Sequence, residues 1–337
     1  MAFIGKAHDA KTEGRRKRRR LRYVQALPTL CTLGNLICGF GAIVLCLRAL
    51  SLADATGELE VIQRNSQLVE RLLPTHIVMA AYLLFAAMIF DALDGRIARL
   101  TRSTSDFGAQ LDSLADMVSF GAAPAIIVVA LMTRQVQDAQ VLVAAPQIQS
   151  LLTRGAWLMA AVYLSCAALR LARFNVETGS DEESHMSFRG LPSPGAAACI
   201  ACLVILHDHV YLYDRKGGAK VLADQGGMLS EAILWLLPVL AVVFGLLMVS
   251  RFEYVHVVNR YLRGRLRFAG VVRGLIVVAL TVIYPEVTIP VLVVGYALSG
   301  PLIVAYGAIF GGRGHAVDEE DIEVDIDITE ESHDLAG

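Results

Sequence analysis

The sequence predicts an all-α fold, a polytopic bundle of transmembrane helices. The chain is 55% hydrophobic and only 18% charged, with mean hydropathy +0.54. A soluble chain carries about 25% charged residues. Long apolar runs recur, of the length (about 20 residues) that crosses a ~30 Å hydrocarbon core as a helix. Aromatics are modest at 7% and short turns separate the runs. Packed helices fit this better than a β-barrel, whose strands would alternate at period two.

Eight spans follow in order, at about 27–50, 75–95, 107–132, 155–175, 191–211, 231–250, 268–285 and 287–310. The first carries Asn35 and follows a basic stretch; Ala53-Asp54-Ala55 beyond it imitates a signal-peptidase site. Its apolar run of about 23 residues exceeds the usual 7–15 of a signal peptide, so a retained span is expected. The second carries Asp91 and Asp94 near its end, and the third begins after Asp106, a residue suited to cap it. The fourth closes on Arg170 and Arg173, and the fifth opens on Gly190-Leu191-Pro192-Ser193-Pro194. The sixth runs up to Ser250. Only the Tyr284-Pro285-Glu286 break separates the last two, which form either two spans or one re-entrant pair. Gly, Pro and Asn within spans are tolerated where neighbouring helices re-satisfy the backbone.

The net charge of −2 hides an asymmetry. The N-terminal arm contains GRRKRRRLR from Gly14 to Arg22, whereas the tail from Asp318 reads DEEDIEVDIDITEESHD. Such blocks are solvated segments, and the basic one lies where it can meet anionic lipid. With the N-terminus inside, inner segments hold 21 Lys and Arg and outer loops 8. The positive-inside bias therefore places both termini in the cytoplasm, with the Asp91–Asp116 loop on the same side. The expected organisation is a basic arm (1–24), a membrane domain (25–255), additional transmembrane helices (256–312) and an acidic tail (313–337). An integral protein of the cytoplasmic membrane is expected, with membrane lipids and no nucleic acid among its partners.

Six cysteines lie in apolar stretches. Cys199-x-x-Cys202 has no second pair nearby, so all six read as small buried hydrophobes. His207-x-His209 closes an apolar run and reads as interfacial.

Residues 90–121 carry the chemistry. Asp91 and Asp94 are spaced i,i+3, and Asp112 and Asp116 i,i+4, so each pair shares one helix face. The short connection makes the two helices antiparallel neighbours and lets four carboxylates converge. A carboxylate at membrane depth costs roughly 2.5–3.5 kcal/mol or more. The cluster therefore calls for cations, and oxygen ligands suit Mg²⁺ or Mn²⁺. Two such ions about 3.5–4 Å apart suit a phosphoryl-type displacement. Gly95, Ala98 and Gly108 leave room for a flat ligand, and Arg99 can balance phosphate charge. The plainer alternative pairs the aspartates with Arg96, Arg99 and Arg102.

Asp91-x-x-Asp94-Gly95-x-x-Ala98-Arg99, eight residues, then Gly108-x-x-x-Asp112-x-x-x-Asp116, resembles the signature of the CDP-alcohol phosphatidyltransferases at every defined position. Further blocks resemble the membrane-embedded, serine-using branch of that family. They are Leu27–Asn35 with Cys38-Gly39-Phe40, Leu169–Asn175, Gly190–Pro194 and Leu247–Ser250. Thr29 departs from the Asn usual there.

The resemblance implies a six-helix core, here with about two further C-terminal spans, and a homodimer. It implies transfer of the phosphatidyl group of CDP-diacylglycerol to L-serine, releasing CMP. On that basis Asp91, Asp94 and Asp112 are expected as metal ligands. Asp116 is expected as general base and further ligand. Thr32, Asn35, Gly95, Ala98, Arg99 and Gly108 would hold the CDP-lipid, and Arg170, Arg173, Asn175 and Ser193 the serine. A sibling enzyme using glycerol phosphate or inositol phosphate stays open, as does, more distantly, a cation transporter with intramembrane carboxylates.

Overall fold

The structure, a computed structural model, describes residues 27–51, 75–101, 106–138, 146–177, 190–215, 220–252 and 268–310. The basic arm and acidic tail lie outside them. Every element among the described residues is helical. In chain order these are α1 (Leu27–Ser51), α2 (His76–Thr101) and α3 (Asp106–Asp116). A π-helical turn (Met117–Ala122) leads straight into α4 (Ala123–Asp138). Then come α5 (Pro146–Glu177), α6 (Ser193–Arg215), α7 (Lys220–Val249), α8 (Phe268–Ile283) and α9 (Pro285–Phe310). Among the described residues, seven helical stretches are long and apolar enough to cross a membrane. The protein is an integral, multi-pass membrane protein.

Helices run beyond the predicted spans. The second, expected over about 75–95 with Asp91 and Asp94 near its end, continues to Thr101. The fourth begins at Pro146, whose fixed φ suits a first helical position. The seventh predicted span is the exception. α8 has 16 residues, a rise of about 24 Å, short of the ~30 Å core. Pro285 cannot donate to α8, and it opens α9 instead.

The chain divides into two units, 1–300 and 301–337. Within the second, α9 is helical as far as Phe310. In the first, the buried residues recur at three- and four-residue steps: Ala42, Cys46 and Ala49 on α1, Ala80, Leu84 and Ala87 on α2, and Leu237, Ala241 and Phe244 on α7. That periodicity is one face of each helix turned inward. Many of these side chains are small, which lets helix backbones approach closely in a bundle whose surroundings are themselves apolar. Leu30, Leu33, Ile37, Phe40 and Leu47 face outward from α1, where lipid replaces water. All six cysteines are free thiols, four of them buried, as expected of small hydrophobes.

Three contacts fix the parts that matter below. A Cβ at Gly39 of α1 would lie 2.7 Å from the Ser119 Cα, so only glycine permits this approach to the π turn. Gly190, at φ +86°, donates its N–H to the Phe252 carbonyl oxygen at 2.8 Å. Leu191 donates to the Leu247 carbonyl oxygen at 3.0 Å. The start of α6 is thereby latched to the end of α7.

The opposite end of the bundle holds polar groups that the sequence reading placed outside the core. Arg134, counted there with an outer loop, is 6% exposed and lies within α4. His207, read as interfacial, is 6% exposed. Asp208 beside it is buried and accepts a hydrogen bond from the Thr75 hydroxyl at 3.3 Å. The Arg134 guanidinium of α4 lies within electrostatic reach of Asp208 on α6, a pairing across helices that a hydrophobicity profile along the chain does not register.

Candidate active site

α2 and α3 carry the aspartates. Asp91, Asp112 and Asp116 each offer a carboxylate oxygen to one point, all within 4.8 Å of one another. Asp94 is 5% exposed, lies beside Thr32 and within electrostatic reach of Asp91 and Asp112, but is not part of that three-oxygen group. One oxygen of Asp94 and one of Asp112 are buried without a hydrogen-bond partner. Buried carboxylates left this way are costly unless a cation completes them. An all-oxygen donor set of this kind fits a hard divalent ion. The cluster therefore fits a metal.

Arg99 does not neutralise it. Its Nε turns back along its own helix and donates to the Gly95 carbonyl oxygen at 3.0 Å. A Cβ at Gly95 would meet nothing closer than the Arg99 guanidinium, at 4.0 Å, so α2 is open there. Ala98 and Gly108 are half-buried on the facing helices.

Helix α1 closes one side. Asn35 is fully buried, and its amide nitrogen donates to Asp116 Oδ1 at 3.0 Å. Sequence reading placed Asn35 at the CDP-lipid; here one N–H of its amide is engaged by the fourth aspartate. Ser119, in the π turn, donates to the Asn35 carbonyl oxygen at 3.0 Å. Thr32 is 4% exposed, and its hydroxyl donates to the Pro28 carbonyl oxygen at 3.1 Å.

α5 and the start of α6 close another side. Arg170 Nη1 donates to the Ser193 hydroxyl at 2.9 Å. The Arg170 guanidinium lies within electrostatic reach of Asp116, and its Nε is buried without a partner. The Gly190 latch sets where Ser193 stands. Asn175 is exposed and pairs with Ser113 at 3.0 and 3.1 Å, one residue from Asp112. Arg173 is half-buried on the same helix end.

The structure thus brings Asp91, Asp94, Asp112, Asp116, Thr32, Asn35, Arg170 and Ser193 together around one centre. Ser113, Ser119 and Tyr163 were missed by sequence reading. The Tyr163 hydroxyl donates to the Phe120 carbonyl oxygen at 2.9 Å. No spacing rule finds a serine whose partner lies 62 or 84 residues away.

Fold and site together define a membrane-embedded helical protein with an acidic, metal-suited centre at one end of its bundle. The model of the CDP-alcohol phosphatidyltransferases matches residues 25–247, and the chain belongs to that family. Among curated proteins it is similar to CDP-diacylglycerol–serine O-phosphatidyltransferase of Helicobacter pylori, 34% identical over 177 residues (52% of this chain, 60% of that protein). It is similar to the Saccharomyces cerevisiae protein of that name, 34% identical over 174 residues (50% of each). The Methanocaldococcus jannaschii one is 31% identical over 174 residues (51% of this chain, 61% of the other). The chain thus spans about half to three-fifths of the length of these relatives.

Proposed function

We propose that this chain transfers the phosphatidyl group of CDP-diacylglycerol to the hydroxyl of L-serine, giving phosphatidylserine and CMP. The observation that carries the reading is the convergence of Asp91, Asp112 and Asp116 on one point, with the Arg170–Ser193 pair beside them. The names of the relatives support serine as acceptor.

In this reading Asp91, Asp94, Asp112 and Asp116 hold two divalent cations, Mg²⁺ or Mn²⁺. When bound, these supply charge neutralisation for the pyrophosphate and the departing CMP. Asp116 takes the serine hydroxyl proton as the oxygen attacks the lipid-proximal phosphorus and the bond to CMP breaks. Asn35 occupies Asp116 Oδ1, which leaves Oδ2 for that proton. The Arg170 guanidinium meets the serine carboxylate, with Ser193 holding one arm of its fork. Arg173 and Asn175 line the approach. Gly95, Ala98 and Gly108 admit the cytidine portion against the backbone, and Thr32 and Arg99 border the phosphates.

The same reading puts this end of the bundle in the cytoplasm, with both termini, as the 21 to 8 bias in Lys and Arg requires. Glu286, in the first turn of α9, lies within electrostatic reach of Tyr82, as does Asp208. Cys199 of α6 meets Val293 of α9 at 3.7 Å. The part of α9 up to residue 300 thus runs antiparallel to α6. The membrane domain is taken as 25–255, with α8 and α9 additional to it, and the working unit as a homodimer.

The test is CMP release by the purified protein with CDP-diacylglycerol and Mn²⁺, supplied in turn with serine, glycerol phosphate and inositol phosphate. Serine-dependent release lost in Asp112→Ala is expected. Release with another alcohol and none with serine would overturn the acceptor.

A further inference from the structure

The π turn between Asp116 and α4 has a cause in the sequence. In a continuous α-helix the Phe120 carbonyl would accept from the N–H of residue 124. Residue 124 is proline, which has no N–H and whose ring crowds that same carbonyl. The ladder slips by one residue instead: the Ala123 N–H reaches the Val118 carbonyl oxygen, five residues back. One inserted residue turns α4 by roughly 100° relative to the helix half that carries Asp112 and Asp116.

Such a turn needs support, because buried backbone polar groups must be paired. Tyr163, fully buried on α5, donates its hydroxyl to the Phe120 carbonyl oxygen at 2.9 Å. Ser119, fully buried in the turn, donates to the Asn35 carbonyl oxygen, and Asn35 in turn donates to Asp116. Gly39 lets α1 lie directly against the turn. Apart from Asn35, which bonds Asp116, none of these groups touches the three aspartates. All of them fix the backbone from which Asp116 projects.

We infer that Tyr163 and Pro124 form a register lock, and that Tyr163 is a positioning residue which sets the face on which Asp116 meets Asp91 and Asp112. Pro124 excludes the α-helical register; Tyr163 stabilises the π-helical one by satisfying the carbonyl that Pro124 leaves. The inference rests on the transferase reading for its catalytic consequence but not for its effect on the carboxylate cluster.

Three variants separate positioning from mere stability. Tyr163→Phe removes the hydroxyl at nearly constant volume. Pro124→Ala restores an N–H at residue 124, which can pair the Phe120 carbonyl in the α-helical register. The double variant does both. Each full-length protein is purified in detergent and measured for thermal midpoint, Mn²⁺ affinity by electron paramagnetic resonance, and kcat and KM for CMP release.

Both single variants are expected to bind Mn²⁺ about 10–100-fold more weakly, the usual effect of losing support behind a metal ligand. They are expected to lose about 10–100-fold in kcat, with KM for serine within threefold of the original. The double variant should recover its thermal midpoint, since the 124 N–H replaces the Tyr163 hydroxyl, while Mn²⁺ affinity and kcat stay low. Recovery of all three together, or Mn²⁺ affinity and kcat within twofold of wild type in Pro124→Ala, overturns the lock. Should Tyr163→Phe not fold, Pro124→Ala carries the test. If the wild-type chain releases no CMP with any alcohol, the transferase reading falls and the Mn²⁺ affinities still decide the lock.

Discussion

Gly39→Ala adds a single methyl group to α1, and the geometry sets its effect. The new Cβ would sit 2.7 Å from the Ser119 Cα, where ordinary contact needs about 3.4–4 Å. Neither partner is the tip of a flexible side chain, so α1 and the π turn must separate by roughly 1 Å. Overpacking of this kind costs about 1–3 kcal/mol. The separation also weakens the Ser119–Asn35 hydrogen bond of 3.0 Å, worth about 0.5–1.5 kcal/mol. The combined destabilisation is about 2–4 kcal/mol, and the Asn35 donor moves away from Asp116. A displacement near 1 Å at a reacting group costs up to about 100-fold in rate. Gly41→Ala is the control, because its Cβ would meet only the Leu83 Cδ1 tip, at 3.1 Å. Thermal unfolding in detergent and CMP release, run on both variants, check the argument. Gly39→Ala should lose stability and activity together while Gly41→Ala stays within about 1 kcal/mol. A Gly39→Ala protein as stable and active as Gly41→Ala would refute the reasoning.

Gly190→Ala forces a side chain into φ +86° and puts its Cβ 2.5 Å from the Met248 carbonyl oxygen. A loss of about 1–3 kcal/mol is expected in thermal unfolding, with a raised KM for serine because Ser193 follows the latch. Arg170→Met should raise the serine KM about 10–100-fold, as loss of a charge-assisted contact does, and leave the KM for CDP-diacylglycerol nearly unchanged. Chelation with EDTA should abolish CMP release, and added Mn²⁺ should restore it in wild type but not in Asp91→Ala, read by CMP chromatography.

The aspartate centre was legible because its information is local. Two pairs at helical spacing on adjoining helices had to converge, and Asp91, Asp112 and Asp116 do. The surroundings of Gly95 are open, a Cβ there meeting nothing closer than 4.0 Å. Arg170 and Ser193 were singled out only through resemblance, since 23 residues separate them and no periodicity links the end of α5 to the start of α6. Asn35 was visible as a polar residue in an apolar run, but its partner was not: a donor 81 residues from Asp116 can be assigned only after α1 is docked. Pro124 was equally plain in the sequence, yet a proline in a span signals a kink, a break or a π turn alike until the packing of Tyr163 decides. Arg134 was misplaced for the converse reason. Its charge argued for a loop, whereas burial within electrostatic reach of Asp208 on another helix holds it inside the bundle.

The latch at Gly190 also ties together parts of the chain that lie far apart in sequence. Gly190 and Leu191, just before Ser193, hydrogen-bond to Phe252 and Leu247 at the end of α7. A change at that end of α7 therefore reaches the arginine–serine pair through two backbone hydrogen bonds, so substitutions there bear on the site without touching any residue that lines it.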